Sequence, residues 1–162
     1  MPKILDLQLK TSSLVLRLIT GLIAAAFCFI LLYYIPANLP SLIYSYGLRD
    51  EMIINLVKGL INPMVPAIGL AVATLELISA IMRGSKIYGP ITIILGVLLA
   101  FYFYLLFQQG TIVIPLSGTI YPGLSGSIIV QASTLMLLFM LPGIFTILKG
   151  TLVTLQSTRS PR

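Results

Sequence analysis

The chain has 162 residues, of which 58% are hydrophobic and 9% charged, and a formal net charge of +6. A soluble domain carries roughly a quarter charged residues, so this chain has too few to cover an aqueous surface. It has no histidine and one cysteine, Cys28, which excludes a Ser–His–Asp triad, an internal disulfide and a CxxC pair. A histidine-ligated haem or a histidine-rich metal site is excluded as well.

Four long uncharged or nearly uncharged runs explain the composition, since about 20 apolar residues cross a bilayer as a helix. A transmembrane barrel is not expected, because its strands alternate apolar and polar residues and these runs do not. The first run is "SLVLRLITGLIAAAFCFILLYYI", residues 13–35. It is too long for a signal peptide and lacks a small-x-small cleavage site, so it is expected to stay in the protein. Cys28 in its middle reads as a small packing residue. The segment that follows, 36–63, is broken by prolines. Within it, Asp50 is placed to cap a short amphipathic helix. Ile53, Ile54, Val57, Leu60 and Ile61 lie on one face of that helix, with Asn55 and Lys58 on the other.

The second run is "MVPAIGLAVATLELISAIM", residues 64–82. Gly69, Ala73 and Ala80 fall on one helical face, which suits close packing. A short basic turn, "RGSKIYGP", leads to the third run, "ITIILGVLLAFYFYLLF", residues 91–107. Next comes the uncharged loop "QQGTIVIPLSGTIYPGLSG". "TIVI" and "GTIY" flank "PLS", which predicts a small hairpin over Thr111 to Tyr121. Its apolar residues, Ile112, Val113, Ile114, Leu116, Ile120 and Tyr121, are candidates for docking a partner. The fourth run is "SIIVQASTLMLLFMLPGIFTIL", residues 127–148, with a bend expected at Pro142 and Gly143. No internal repeat or linker is visible, and residues 1–162 read as one integral-membrane domain.

The charges orient these spans. Lys3, Lys10, Arg17, Arg83, Lys86, Lys149, Arg159 and Arg162 fall on one side, and only Arg49 and Lys58 on the other. The positive-inside rule places the first side, and both termini, in the cytoplasm of a multi-pass cell-membrane protein. The net positive charge is therefore a topology signal and not a nucleic-acid footprint. Most tyrosines lie toward the outer side, and Tyr88 is the single one on the basic side.

Glu76 is the exception in this inventory, because an ionisable group inside a span is a functional hypothesis by default. Three uses compete: a pin between helices, a proton relay or quinone contact, and a partner for another subunit's basic residue. Arg17 lies at a compatible depth in the first span and is its expected ion-pair partner. The competing reading for Arg17 is snorkelling to the inner surface.

The stretch "LVLRLITGLIAAAF", with Arg17 and Gly21, resembles the opening helix of the DoxX/DoxD-like four-helix membrane proteins, as do the helix count and the length. That resemblance implies a subunit contributing to quinone-linked oxidoreductase chemistry, as in thiosulfate:quinone oxidoreductases, with Arg17 and Glu76 near the site. Cys28 and Leu31 stand near the places where the family carries a glycine and a lysine.

The sequence thus predicts an all-α membrane protein. It would be a four-helix transmembrane bundle with cytoplasmic termini, and its outer loops would carry a short amphipathic helix and a small hairpin. The expected function is that of an accessory, non-catalytic subunit of a larger membrane complex. Its partners would be other integral-membrane subunits and the bilayer. Few Asn, Gln, Cys and His residues beside many Ile and Leu point to a thermophile, in particular an archaeal respiratory complex. The alternatives are the quinone-linked subunit and a small homo-oligomeric channel or transporter. No cofactor is expected on this chain alone beyond a quinone or lipid contact.

Overall fold

The structure, a computed structural model, describes residues 2–47, 54, 57–58, 61–116 and 126–159, with side chains over 15–47, 54, 57–58, 61–114 and 126–158. Helix α1 (Pro2–Cys28) passes through a π-helical turn (Phe29–Tyr34) into α2 (Ile35–Ser45). Then come α3 (Met64–Ile81), α4 (Tyr88–Leu106), strands β1 (Thr111–Leu116) and β2 (Gly126–Gln131), and α5 (Ser133–Arg159). Four helices are long and apolar enough to cross a membrane: Val15–Ser45, Met64–Ile81, Tyr88–Leu106 and Ser133–Thr158. Leu22, Ile23, Phe27, Leu137, Leu138, Phe145 and Leu152 are exposed on their outer faces. Such a belt is stable against lipid and a liability in water. The four helices and this belt are consistent with a multi-pass membrane protein.

The first span runs on where the sequence predicted a break. Pro36 follows a turn in which the Ile35 amide reaches back five residues to Ile30 O, and Pro40 sits inside α2. A proline near the start of a helical segment costs little, because its fixed φ suits the helix and the missing amide falls at a junction. Pro36 offers no amide to Leu32 O, four residues earlier. The Gly69 backbone of α3 lies against that carbonyl, so close that a Cβ at position 69 would overlap it. Asn38 Nδ2 donates to Tyr34 O at 2.9 Å, tying the following turn. The 31-residue apolar stretch from Val15 to Ser45 is about 46 Å long, more than a bilayer core requires.

The spans pack in chain order: the first on the second, the second on the third, and the third on the fourth. Gly21 of α1 meets Ala80 of α3, and Arg17 Nη1 donates to Arg83 O at 3.4 Å. The small face of α3 is buried as expected at Gly69, Ala73 and Ala80. A tight turn joins α3 to α4, with Ser85 N and Oγ both donating to Met82 O at 2.9 and 2.7 Å. Gly84 adopts φ +96° in that turn, a left-handed conformation open to glycine at little cost.

The most extensive contact is α4 on α5. It is built on two glycine pairs, Gly89 with Gly96 and Gly143 with Gly150, each pair spaced by seven residues. A Cβ on Gly96 would lie 2.6 Å from Gly143 O, and one on Gly143 would lie 2.8 Å from Gly96 O. Backbones this close gain dispersion and Cα–H···O contacts, the terms that hold helices together where lipid supplies no hydrophobic drive. Phe139 adds ring contacts to Phe103 and Phe107, with centroids at 5.6 and 5.4 Å.

Two further expectations change, at the fourth span and at the hairpin. The fourth span begins at Ser133 and not at Ser127, and it runs through Pro142 without interruption to Arg159. The residues assigned to its start, Gly126–Gln131, form β2 and pair antiparallel with β1. "TIVI" therefore has "SIIV" as its partner; the strand expected at "GTIY" lies outside the described residues. Of the expected amphipathic helix, Ile54, Val57 and Lys58 are helical and Ile61 lies in a bend, while Asp50, Ile53, Asn55 and Leu60 lie outside the described residues.

Candidate functional site

The four spans converge on one polar cavity of about 140 Å³. Cys28 reaches it from α1, and Val72, Glu76 and Ser79 from α3. Tyr88, Thr92, Leu95 and Leu99 come from α4, Thr146 and Lys149 from α5, and Arg83 from the α3–α4 turn. Neighbouring spans pack in pairs, yet this space takes side chains from every one of them. Its arrangement follows from helix geometry. Arg83 and Tyr88 flank the same turn, and Ser79 and Glu76 lie one and two turns back along α3, so Glu76 is about 10 Å from Arg83 along the axis. Gly89 and Gly150 bring α4 and α5 close enough for Lys149 Nζ to stand 5.8 Å from the Tyr88 ring centroid. That separation is within the range of a cation–π contact.

The cavity is graded. Arg83 and Lys149 are exposed, while Ser79, Tyr88 and Thr92 are buried. The two cations therefore mark its mouth and the neutral hydroxyls its wall. The threonines of the cavity satisfy their hydroxyls by donating to the carbonyl four residues back. Thr92 donates to Tyr88 O at 2.7 Å and Thr146 to Pro142 O at 2.7 Å. Among the described residues Ser79 makes no such bond; the residue is 5% exposed and its hydroxyl opens to the cavity. Nor does Glu76 form an ion pair among the described residues. One carboxylate faces two cations, which leaves one positive charge over.

Of the residues singled out in the sequence, Glu76 lines this cavity and Arg17 does not. Among the described residues the expected Arg17–Glu76 ion pair does not form, because the Arg17 guanidinium turns to the backbone carbonyl of Arg83 at the end of α3. The basic residues that share a cavity with Glu76 are Arg83 and Lys149. In the sequence Lys149 reads only as a basic residue after the fourth span and not as part of a site; α5 continues to Arg159 and carries it within the helix. Tyr88, the one tyrosine on the basic side, was a signal in plain sight.

The predicted docking residues lie at the other end of the span pair α4 and α5. Ile112 faces Val130, Val113 faces Ile129 and Ile114 faces Ile128 across the ribbon. Alternation sends Ile112, Ile114, Ile128 and Val130 to one face and Val113 and Ile129 to the other. The ribbon is anchored at its base. Gly110 O accepts from Ala132 N at 2.9 Å and from Ser133 Oγ at 3.2 Å, and Val113 N donates to Gln108 Oε1 at 3.3 Å. Gln108, Gln109 and Gly110 all have positive φ there, a left-handed run that turns the chain sharply out of α4. Val113, Ile128, Ile129 and Val130 are exposed, Ile129 at 63%. Leu116 ends β1, its side chain outside the described set, and Ile120 and Tyr121 lie outside the described residues.

Among the described residues no group of His, Cys, Asp and Glu is placed to hold a metal ion. No family model, curated protein or solved structure matches this chain.

Proposed function

We propose that the chain is an accessory subunit of a larger membrane complex, docked to other integral-membrane subunits through its β-ribbon. The observation that supports this reading is apolar exposure on both faces of the ribbon. A two-stranded ribbon is marginal alone, and one surface of the subunit cannot cover two opposite faces. Each square ångström of apolar area withdrawn into a partner contributes about 25 cal/mol. The absence of histidine and of a paired cysteine in the sequence removes most chemistry that a stand-alone enzyme of this size would use.

The test is a double variant, Val113→Lys with Ile129→Asp. These positions face each other, so the new charges pair across the strands and the ribbon stays formed. Docking should weaken by about 3 kcal/mol, on the order of a hundredfold. The variant should insert normally and lose the subunits that co-purify with the parent chain. Retention of the same subunits at the same yield would refute the proposal.

A further inference from the structure

The polar cavity is not explained by docking at the ribbon. We propose that it binds a singly charged oxyanion, with the anionic group between Arg83 and Lys149 and the remainder of the ligand against Ser79, Thr92 and Glu76. Three observations converge on this. The charges lining the cavity leave one positive charge uncompensated, which selects a monoanion. The two cations stand exposed at the mouth, where a cationic rim over low-dielectric walls concentrates anions. Among the described residues, the side chains of Arg83 and Glu76 make no hydrogen bond or ion pair, Lys149 stands against the ring and hydroxyl of Tyr88, and the Ser79 hydroxyl, without a protein partner, opens into the cavity. These groups are left to water or to a ligand in the cavity.

Size narrows the class. About 140 Å³ accepts an oxyanion with a short apolar portion beside Val72, Leu95 and Leu99, and does not accept an acyl chain. A cavity of roughly that volume holds a benzene-sized molecule. The ligand is therefore either a small free monocarboxylate or the phosphodiester of an anionic lipid whose chains stay outside. Both present one negative charge on oxygen.

The experiment uses the full chain in nanodiscs of phosphatidylcholine, without ligand at the start. One arm titrates butyrate by equilibrium dialysis. The other replaces a tenth of the lipid with phosphatidylglycerol and counts retained lipid by native mass spectrometry. Saturable binding in either arm supports the proposal, and the arm that responds identifies the source. Lys149→Met should then weaken binding at least about tenfold, as loss of a charge-assisted hydrogen bond does, and Lys149→Arg should restore most of it. Glu76→Gln should tighten binding by about threefold or more, because a like charge is removed from the cavity. Unchanged thermal unfolding of each variant separates these effects from misfolding. The proposal is overturned if neither probe binds, if Lys149→Met binds as the parent does, or if Glu76→Gln weakens binding.

Discussion

Single atoms decide the packing of α4 on α5. At Gly96 an added methyl would lie 2.6 Å from Gly143 O, 2.7 Å from Ile147 N and 2.7 Å from Ile147 Cγ1. Two of those neighbours are backbone, so the helices must separate to admit it. Gly96→Ala should therefore destabilise the protein by about 1–3 kcal/mol, the usual cost of overpacking. Gly126→Ala serves as the control, since nothing lies within 4 Å of its added carbon. Unfolding in mixed micelles with increasing sodium dodecyl sulfate measures both. Equal stability of the two variants would show that the glycine contact does not carry the helix pair. Glu76 poses the opposite problem at the same scale. Its environment lacks a partner among the described residues, which a carboxylate in an apolar span tolerates only where water or a ligand reaches it.

At the scale of elements, the apolar runs were legible because a run of about 20 uncharged residues has few fates other than a spanning helix. Their boundaries were less so. Pro36 and Pro40 are normally helix breakers, and sequence alone gives no sign that a π turn will absorb the first of them. "GSIIVQ" is as apolar as the helix it precedes, and only its register against "TIVIPL" shows it to be a strand. Periodicity cannot separate a short continuous apolar strand from helix. Glu76 was legible because one acid in an apolar run is conspicuous. Its neighbours were not, because the cavity joins residues of four helices and depends on how those helices cross. The paired spacing Gly89–Gly96 and Gly143–Gly150 was present in the sequence as a signal of close packing and went unused.

At the scale of the whole molecule, polarity is separated end from end. Arg17, Arg83, Lys149 and the cavity mouth gather toward the α3–α4 turn, and the uncharged ribbon closes the opposite end of α4 and α5. The positive-inside rule predicts that the first end faces the cytoplasm. In a Cys28→Ser background, a cysteine at Ser85, exposed in the turn, should react with an impermeant maleimide only after the cells are opened. Labelling of intact cells would invert the topology. The ribbon would then stand on the far side, where its docking is tested most directly. A photo-crosslinking side chain is placed at Ile129 and activated in native membranes, before any detergent is added. Docking at the ribbon predicts a covalent product with another integral-membrane subunit, lost when Val113→Lys is also present. Products confined to lipid or to a second copy of this chain would contradict it.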